Sequence, residues 1–231
     1  MIDINKIYCG NCLDIVDEIP AEAFIISDPP YNQGYHYDNY SDNLGKQEYR
    51  DLLYGVFSGR KSVIIHYPEE TISILATLDL GKCNDSVSWV YNSNTAKQHR
   101  LITWWNCKPD FRNIPQPYKN PTDKRIKQRM AEGKTCRGYD WWGINQVKNV
   151  SKADNAHSCP IPEEVAKRII LSTTKPGDLV VDPFCGSGTI LKVAKELGRN
   201  YIGIEISPEY VEIANKRISS PILPIDKAVL V

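Results

Sequence analysis

The chain has no run of apolar residues approaching the roughly 20 that a membrane-spanning helix requires, so no membrane partner is expected. Its opening, MIDINKIYCGNCLD, has no basic stretch leading into an apolar one. That argues against a secretory leader and sets the expectation of a cytoplasmic protein. The seven cysteines are odd in number and irregularly spaced, which excludes a regular disulfide framework. Cys9 and Cys12 have the separation of a zinc pair, but no second pair accompanies them, and no metal is expected. Internal repeats and low-complexity tracts are also missing. Net formal charge is absent too, at zero.

That zero conceals an uneven distribution. Between Asn106 and Lys152 there are eleven Lys and Arg residues against four acids, so the segment carries +7 and the remainder −7. A concentrated basic block suits contacts to a phosphate backbone, and equally a solvated loop. The candidates for such contacts are Lys108, Arg112, Lys124, Arg125, Lys127 and Arg129, joined by Trp141 and Trp142, whose indoles can stack on nucleobases or form a small satellite core.

The 231 residues, 42% hydrophobic and 24% charged, suit a single domain spanning 1–231. Short apolar runs at Phe24–Ser27 and Ser62–His66 read as buried strands, and Ser86–Tyr91 alternates like another. Helical patterns at Gln47–Phe57 and Glu69–Leu80 separate them, giving βαβαβ and an α/β fold with a largely parallel sheet. Residues 106–156 show no sustained period, so they are assigned as an inserted specificity segment. Order returns with a helix from Pro162 to about Ser172, the strand Leu179–Asp182, a helix from Thr189 to Leu197, the strand Tyr201–Glu205 and a helix from Pro208 to Ile218.

Two strand ends carry chemistry. Asp182-Pro183-Phe184-Cys185-Gly186-Ser187-Gly188-Thr189 lies between a strand and a helix, where glycines let a ligand approach the backbone. Leu191 stands where a dinucleotide fingerprint would place its third glycine, which lowers a nicotinamide-cofactor reading. Glu205 ends the next strand, where its carboxylate can accept both ribose hydroxyls. The pair suggests an adenosine-containing ligand. The second strand end is Ile26-Ser27-Asp28-Pro29-Pro30-Tyr31-Asn32, where an acid, two prolines and a tyrosine follow a buried run. This reads either as a rigid turn or as a reactive site.

Together DPFCGSGT, GRNYIGIEISPEYVEIANKRI and ISDPPYN resemble the amino-group DNA methyltransferases. HSCPIPEEVA, with Ser158 where that family usually has proline, and GNCLD are similar to two further motifs of the family. The catalytic tetrapeptide precedes the cofactor loop, as in the circularly permuted beta class. The resemblance covers residues 4–105 and 155–218. It implies a Rossmann-like methyltransferase fold with a mostly parallel seven-stranded sheet, and S-adenosyl-L-methionine as cofactor. It also assigns cofactor contacts to Asp14, Asp28, His157, Asp182, Phe184, Cys185, Gly186, Ser187, Gly188, Thr189 and Glu205. Catalysis falls to Asp28, Pro29, Pro30 and Tyr31, on the exocyclic amine of a base flipped out of double-stranded DNA.

The chemistry fits those residue types. An exocyclic amine is a poor nucleophile because its lone pair is delocalised into the ring. A carboxylate from Asp28 and the Pro29 carbonyl can accept its two hydrogens, freeing the lone pair for in-line attack. Tyr31 can stack on the base, and the tyrosine-rich loop from Asn32 to Asn43, Tyr35 included, can close over it. An aspartate in first place favours adenine N6 over cytosine N4 within the family. An RNA or protein-amide substrate, and a non-catalytic DNA-binding protein of the same fold, are the alternatives that the sequence leaves open. About fifty residues for specificity imply a short recognition site or a homodimer, and a cognate restriction enzyme is compatible with this reading.

Overall fold

The computed structural model describes residues 2–34, 36, 37, 40–94, 96–147 and 160–220, with backbone alone at 36, 37, 40 and 41. In chain order the elements are β1 (Lys6–Cys9), α1 (Cys12–Ile15), β2 (Phe24–Ser27), β3 (His36–Tyr37), β4 (Tyr40–Ser41), α2 (Lys46–Phe57), β5 (Ser62–His66) and α3 (Pro68–Ser73). There follow β6 (Cys83–Val90), β7 (His99–Trp105), α4 (Lys124–Ala131), β8 (Trp141–Gly143), α5 (Glu163–Thr173), β9 (Leu179–Asp182), α6 (Thr189–Glu196), β10 (Asn200–Glu205) and α7 (Pro208–Ser219).

Eight strands form one sheet in the order β1-β10-β9-β2-β5-β7-β6-β8, and β3 pairs with β4 in a separate antiparallel ribbon. All eight run one way except β7, which is antiparallel to both β5 and β6. The eighth strand, one more than expected, is β8, which joins β6 in parallel and draws residues 141–143 of the expected insertion into the main sheet. The third strand of the βαβαβ reading also sits elsewhere: β6 lies two places from β5, with β7 between them. Its connection to β7 is a short loop without a crossover helix, and such a connection permits only an antiparallel neighbour.

Helices cover both faces, so the central strands are apolar without interruption. Ile25, Ile64 and Val181 point towards α1 and α2, into a cluster with Tyr49, Leu52, Leu53, Val56 and Phe57. The alternate residues Ile26, Val63, Ile65 and Val180 point the other way, onto Val165, Ala166, Ile169 and Ile170 of α5 and Ile190, Val193 and Ala194 of α6. The apolar spacing of three and four along α2 and α5 is what lets each helix bury one stripe.

The expected helix over Glu69–Leu80 is cut short. After α3 the backbone kinks at Ile74 and tightens into a 3-10 turn over Leu75–Thr77. Thr77 bonds back through its hydroxyl to the Ile74 and Ser73 carbonyls, and the β-branched residues Thr71, Ile72, Ile74 and Thr77 crowd a regular helix.

From β2 the chain crosses through α2 to β5 on one side, and from β9 it crosses through α6 to β10 on the other. The crevice beyond the carboxyl ends of β2 and β9 is therefore the topological switch point, where open α/β sheets bind ligands.

Candidate active site

At that crevice the two sequence motifs meet. Ser27, the fully buried last residue of β2, donates its hydroxyl to Asp182 Oδ1 at the end of β9 over 2.7 Å. The Phe184 amide donates to the same oxygen at 3.2 Å. Burial pushes the Asp182 carboxyl up to about 7 against these two donors. Asp182 is thus the clasp between the loops. Beyond it Cys185 packs inwards, its thiol raised by burial, so that only its backbone faces the loop.

Gly186 donates its amide to Glu205 Oε2 at 2.9 Å, while Glu205 Oε1 accepts from the Ser207 amide at 2.9 Å. Burial raises the Glu205 carboxyl. Gly188 caps α6 with φ +76°, and a Cβ there would lie 2.9 Å from that of Ala214 on α7, so only glycine fits. The close packing that a third fingerprint glycine would give is supplied from the strand side. A Cβ at Gly203 of β10 would come within 2.4 Å of the Leu191 side chain.

The Ser187 and Thr189 hydroxyls accept from Arg217 Nη1 at 3.2 and 2.9 Å, and Arg217 Nη2 reaches Glu163 of α5 at 2.9 Å. These two side chains therefore brace the loop against α5 and α7. Asp14 is exposed on α1, directly after the strand paired with β10. Its charge and that of Glu205 both act on the Cys12 thiol, which burial pushes up to about 12.

Asp28, Pro29, Pro30 and Tyr31 follow β2 into the same crevice. The Tyr31 hydroxyl donates to Asp28 Oδ1, and Arg100 Nη1 lies 3.4 Å from Asp28 Oδ2. Burial raises the Asp28 carboxyl while Arg100 and Tyr31 pull it down. The Tyr31 ring lies 4.8 Å from that of His66 and 4.9 Å from that of Tyr67.

His66 ends β5 and is fully buried, and burial together with Arg100 lowers it to about 3, so its ring is neutral. The Tyr67 amide donates to Nδ1 at 3.0 Å, which leaves the proton on Nε2. Nε2 meets the Tyr49 hydroxyl at 2.8 Å, and that hydroxyl donates to the Pro30 carbonyl at 2.8 Å. The relay runs from Tyr67 through His66 and Tyr49 to Pro30. Among the described residues the neighbouring Pro29 carbonyl accepts no hydrogen bond, so it is the one left to receive a ligand's N–H.

The loop beyond is tied at its neck. Asp42, 3% exposed, accepts from the Asn32 and Gln33 amides at 2.8 and 3.0 Å. The Asn32 side chain exchanges two bonds with the Leu44 backbone, holding Asn32 at φ +53°. Tyr35 and His157 lie outside the described residues.

The basic segment divides. The chain leaves β7 at the edge of the sheet opposite Asp28, because β7 alone is reversed. Arg100 and the end of β7 at Trp105 are five residues apart, about 16 Å at ~3.3 Å each, and Lys108 and Arg112 follow beyond that opposite end. Arg112 is moreover held by Asp110 at 2.7 Å. These two do not join the site. Trp142 is also misassigned as a base-stacking residue: at 1% exposure it is a core residue, edge-on to Trp104 at 6.4 Å. Its neighbour Trp141 is 46% exposed, with Lys119 Nζ 4.2 Å from its ring centre. The cations Lys124, Arg125, Lys127 and Arg129 lie on α4, which buries no side chain.

Arg100, His66, Tyr49, Tyr67 and Asp42 escaped the sequence reading as site residues. A signal existed for two of them. His66 closes an apolar strand, and Arg100 opens the apolar run LITWW, so each is a polar residue where burial is expected.

A family model described as DNA methylase, of the N6/N4 class, matches residues 23–216. Type II methyltransferase M.BglII of Bacillus subtilis is 29% identical, across 94% of this chain and 69% of its own. Among solved structures, the cytosine-N4-specific PvuII DNA methyltransferase superposes with a TM-score of 0.66 at 18% identity, covering 99% of this chain and 94% of the other. M1.HpyAVI in complex with SAM superposes at 0.64 with 22% identity, covering 93% and 98%.

Proposed function

The chain belongs to the N6/N4 DNA methylase family, and from that premise we propose that it methylates N6 of adenine in DNA, on a base flipped into the crevice beside Asp28. The observation that carries this reading is the Ser27–Asp182 hydrogen bond, which joins the catalytic tetrapeptide to the glycine loop at the switch point. A methyl donor on the loop and an amine at Asp28 are then neighbours.

S-adenosyl-L-methionine fits the residues present, and supplies an electrophilic methyl on a positively charged sulfur. Glu205 is held by two amides in a position to take ribose hydroxyls, and the glycine loop is closed to any side chain at 188. Asp14 and Phe184 are assigned to the same ligand, Phe184 packed partly against the core behind β9.

On the substrate side, Asp28 and the Pro29 carbonyl accept the two amine hydrogens, and the Tyr49 relay fixes the adjoining Pro30. Positive charge developing on nitrogen is met by these fixed acceptors, with no reorganisation at the moment of transfer. Tyr31 supplies a ring for the base. The aspartate in first place is the reason for preferring adenine. The cations of α4 and the Trp141 ring are assigned to DNA contact, since they are exposed charges and an exposed aromatic with no role in the core.

Replacing Asp28 by alanine should reduce transfer of labelled methyl groups to duplex DNA by about 1,000-fold or more, while cofactor binding stays measurable by calorimetry. Wild-type rates in that variant would dismiss the mechanism. Chromatography of the nucleosides from methylated duplex identifies the base, and N4-methylcytosine as product would replace adenine. Transfer to RNA in preference to DNA would replace the substrate class.

A further inference from the structure

Arg100 is a buried cation to which the reaction described so far gives no task. It stands second in β7, and because that strand alone is reversed, its start lies at the carboxyl edge beside Asp28. Arg100 is 5% exposed, and its guanidinium is 4.9 Å from the ring centre of Tyr31, 5.3 Å from that of Tyr67 and 5.5 Å from that of Trp89. Its Nε is buried and has no hydrogen-bond partner among the described residues. A desolvated cation with an unfilled donor is unfavourable unless an anion holds it. The anion is Asp28 at 3.4 Å.

The two oxygens of Asp28 are thereby divided. Oδ2 faces Arg100, and Oδ1 accepts from the Tyr31 hydroxyl, which occupies the acceptor a target amine needs. We propose that Arg100 is a positioning residue that keeps Asp28 ionised in a buried pocket and reserves Oδ1 for the amine, the Tyr31 hydroxyl giving up that oxygen when the base arrives. The proposal rests on the methylation reading above.

The other groups around this pair do not replace the cation. Burial holds the Tyr31 phenol and the His66 ring neutral, and the Tyr67 and Tyr91 side chains facing Arg100 bring no cation. Asp182 of β9, pushed up to about 7 by burial, adds negative charge only on the alkaline side of that value, and Lys97 is drawn to Glu69 of α3 and over the Tyr67 ring. Burial pushes the Asp28 carboxyl up, and the Arg100 charge is the largest opposing influence. A protonated Asp28 has lost the charge that draws on the amine, so activity falls on the acid side of its titration. Loss of Arg100 must move that limb to higher pH.

The test is the single-turnover methylation rate at saturating duplex and S-adenosyl-L-methionine, from pH 5.5 to 9.5, for wild type, Arg100→Gln and Arg100→Lys. The expected result for the glutamine variant is an acid limb displaced upward by about one unit or more. The loss should grow to about tenfold for each unit of displacement on the acid side of both limbs and close on the alkaline side. The lysine variant should keep the wild-type limb, and cofactor affinity should be unchanged in both. A glutamine variant with the wild-type limb, or an equal loss at every pH in both variants, would overturn the proposal. So would a faster glutamine variant, which would mark Arg100 as a plug in the base site.

Melting temperature gives an independent reading if Arg100→Gln folds poorly. Adding Asp28→Asn should raise its stability by removing the uncompensated carboxylate, and no recovery counts against the proposal. The two hypotheses fail separately. An active Asp28→Ala variant defeats the methylation reading, whereas an essential Asp28 with an unmoved acid limb defeats only the role of Arg100.

Discussion

Asp28, Tyr31, Tyr49, His66 and Arg100 hold one another through hydrogen bonds and ring contacts, whereas α4 presents four cations and buries no side chain. The two regions serve different physical needs. Aligning an amine lone pair with a methyl group depends on geometry, and pre-set partners remove the orientational penalty before the reaction begins. Gripping a phosphate backbone depends on the number of charges and their hydration, and tolerates mobile side chains. Damage to the pocket should therefore appear in rate, and damage to α4 in affinity and its salt dependence.

The sharpest contrast is available between two adjacent residues. Trp142→Ala removes a fully buried indole from the core and should destabilise the fold by ~3–5 kcal/mol in urea unfolding, while Trp141→Ala should stay within ~0.5 kcal/mol. Equal costs would erase the boundary drawn between pocket scaffold and exposed surface.

Next in size is the joint replacement of Lys124, Arg125, Lys127 and Arg129 by alanine. Duplex affinity should fall by about 10- to 100-fold at moderate salt, and the slope of log affinity against log salt should flatten by ~0.9 for each phosphate no longer neutralised. The turnover rate on saturating duplex should be unaltered. A changed rate with an unchanged slope would reverse the assignment.

The smallest effect expected is that of Tyr49→Phe, which deletes one oxygen between His66 Nε2 and the Pro30 carbonyl. The methylation rate should fall by about tenfold with duplex and cofactor affinities preserved. An affinity defect instead would show that the relay shapes binding and not alignment.

The residues that were legible in the sequence are those whose meaning is local. Leu179–Asp182 begins and ends where its apolar run does, and the helix after it starts at Thr189 because the preceding glycine adopts a conformation closed to other residues. The tetrapeptide and the glycine loop likewise announce themselves by adjacency to strand ends. What was not legible depends on pairing. Nothing in HRLITWW states that the strand will lie reversed between two others, yet that reversal brings Arg100 to Asp28 and carries Lys108 away.

Tyr49 was legible as one apolar position of α2. Its hydroxyl acquires a purpose only once the sheet places His66 and Pro30 on either side. The tryptophan pair fails for a simpler reason: on a strand, successive side chains point to opposite faces, so one indole enters the core and the other leaves it. The segment from Asn106 looked aperiodic because α4 is a short, mostly charged helix whose two larger apolar residues, Ile126 and Met130, are not buried. It is initiated instead by Asp123, whose carboxylate accepts from the Arg125 and Ile126 amides at 2.8 and 3.2 Å.

The clasp between Ser27 and Asp182 spans 155 positions of sequence. The β2–β9 pairing beneath it is equally distant and the β1–β10 pairing more so, so the crevice exists only once segments from both ends of the chain have met. Closing so long a loop is entropically costly and comes late on the way to the native state. A half-folded chain has either an acceptor for the amine or a cradle for the methyl donor, but never both side by side. Newly made protein is therefore silent until it is complete, and methylation doubles as a readout of finished folding.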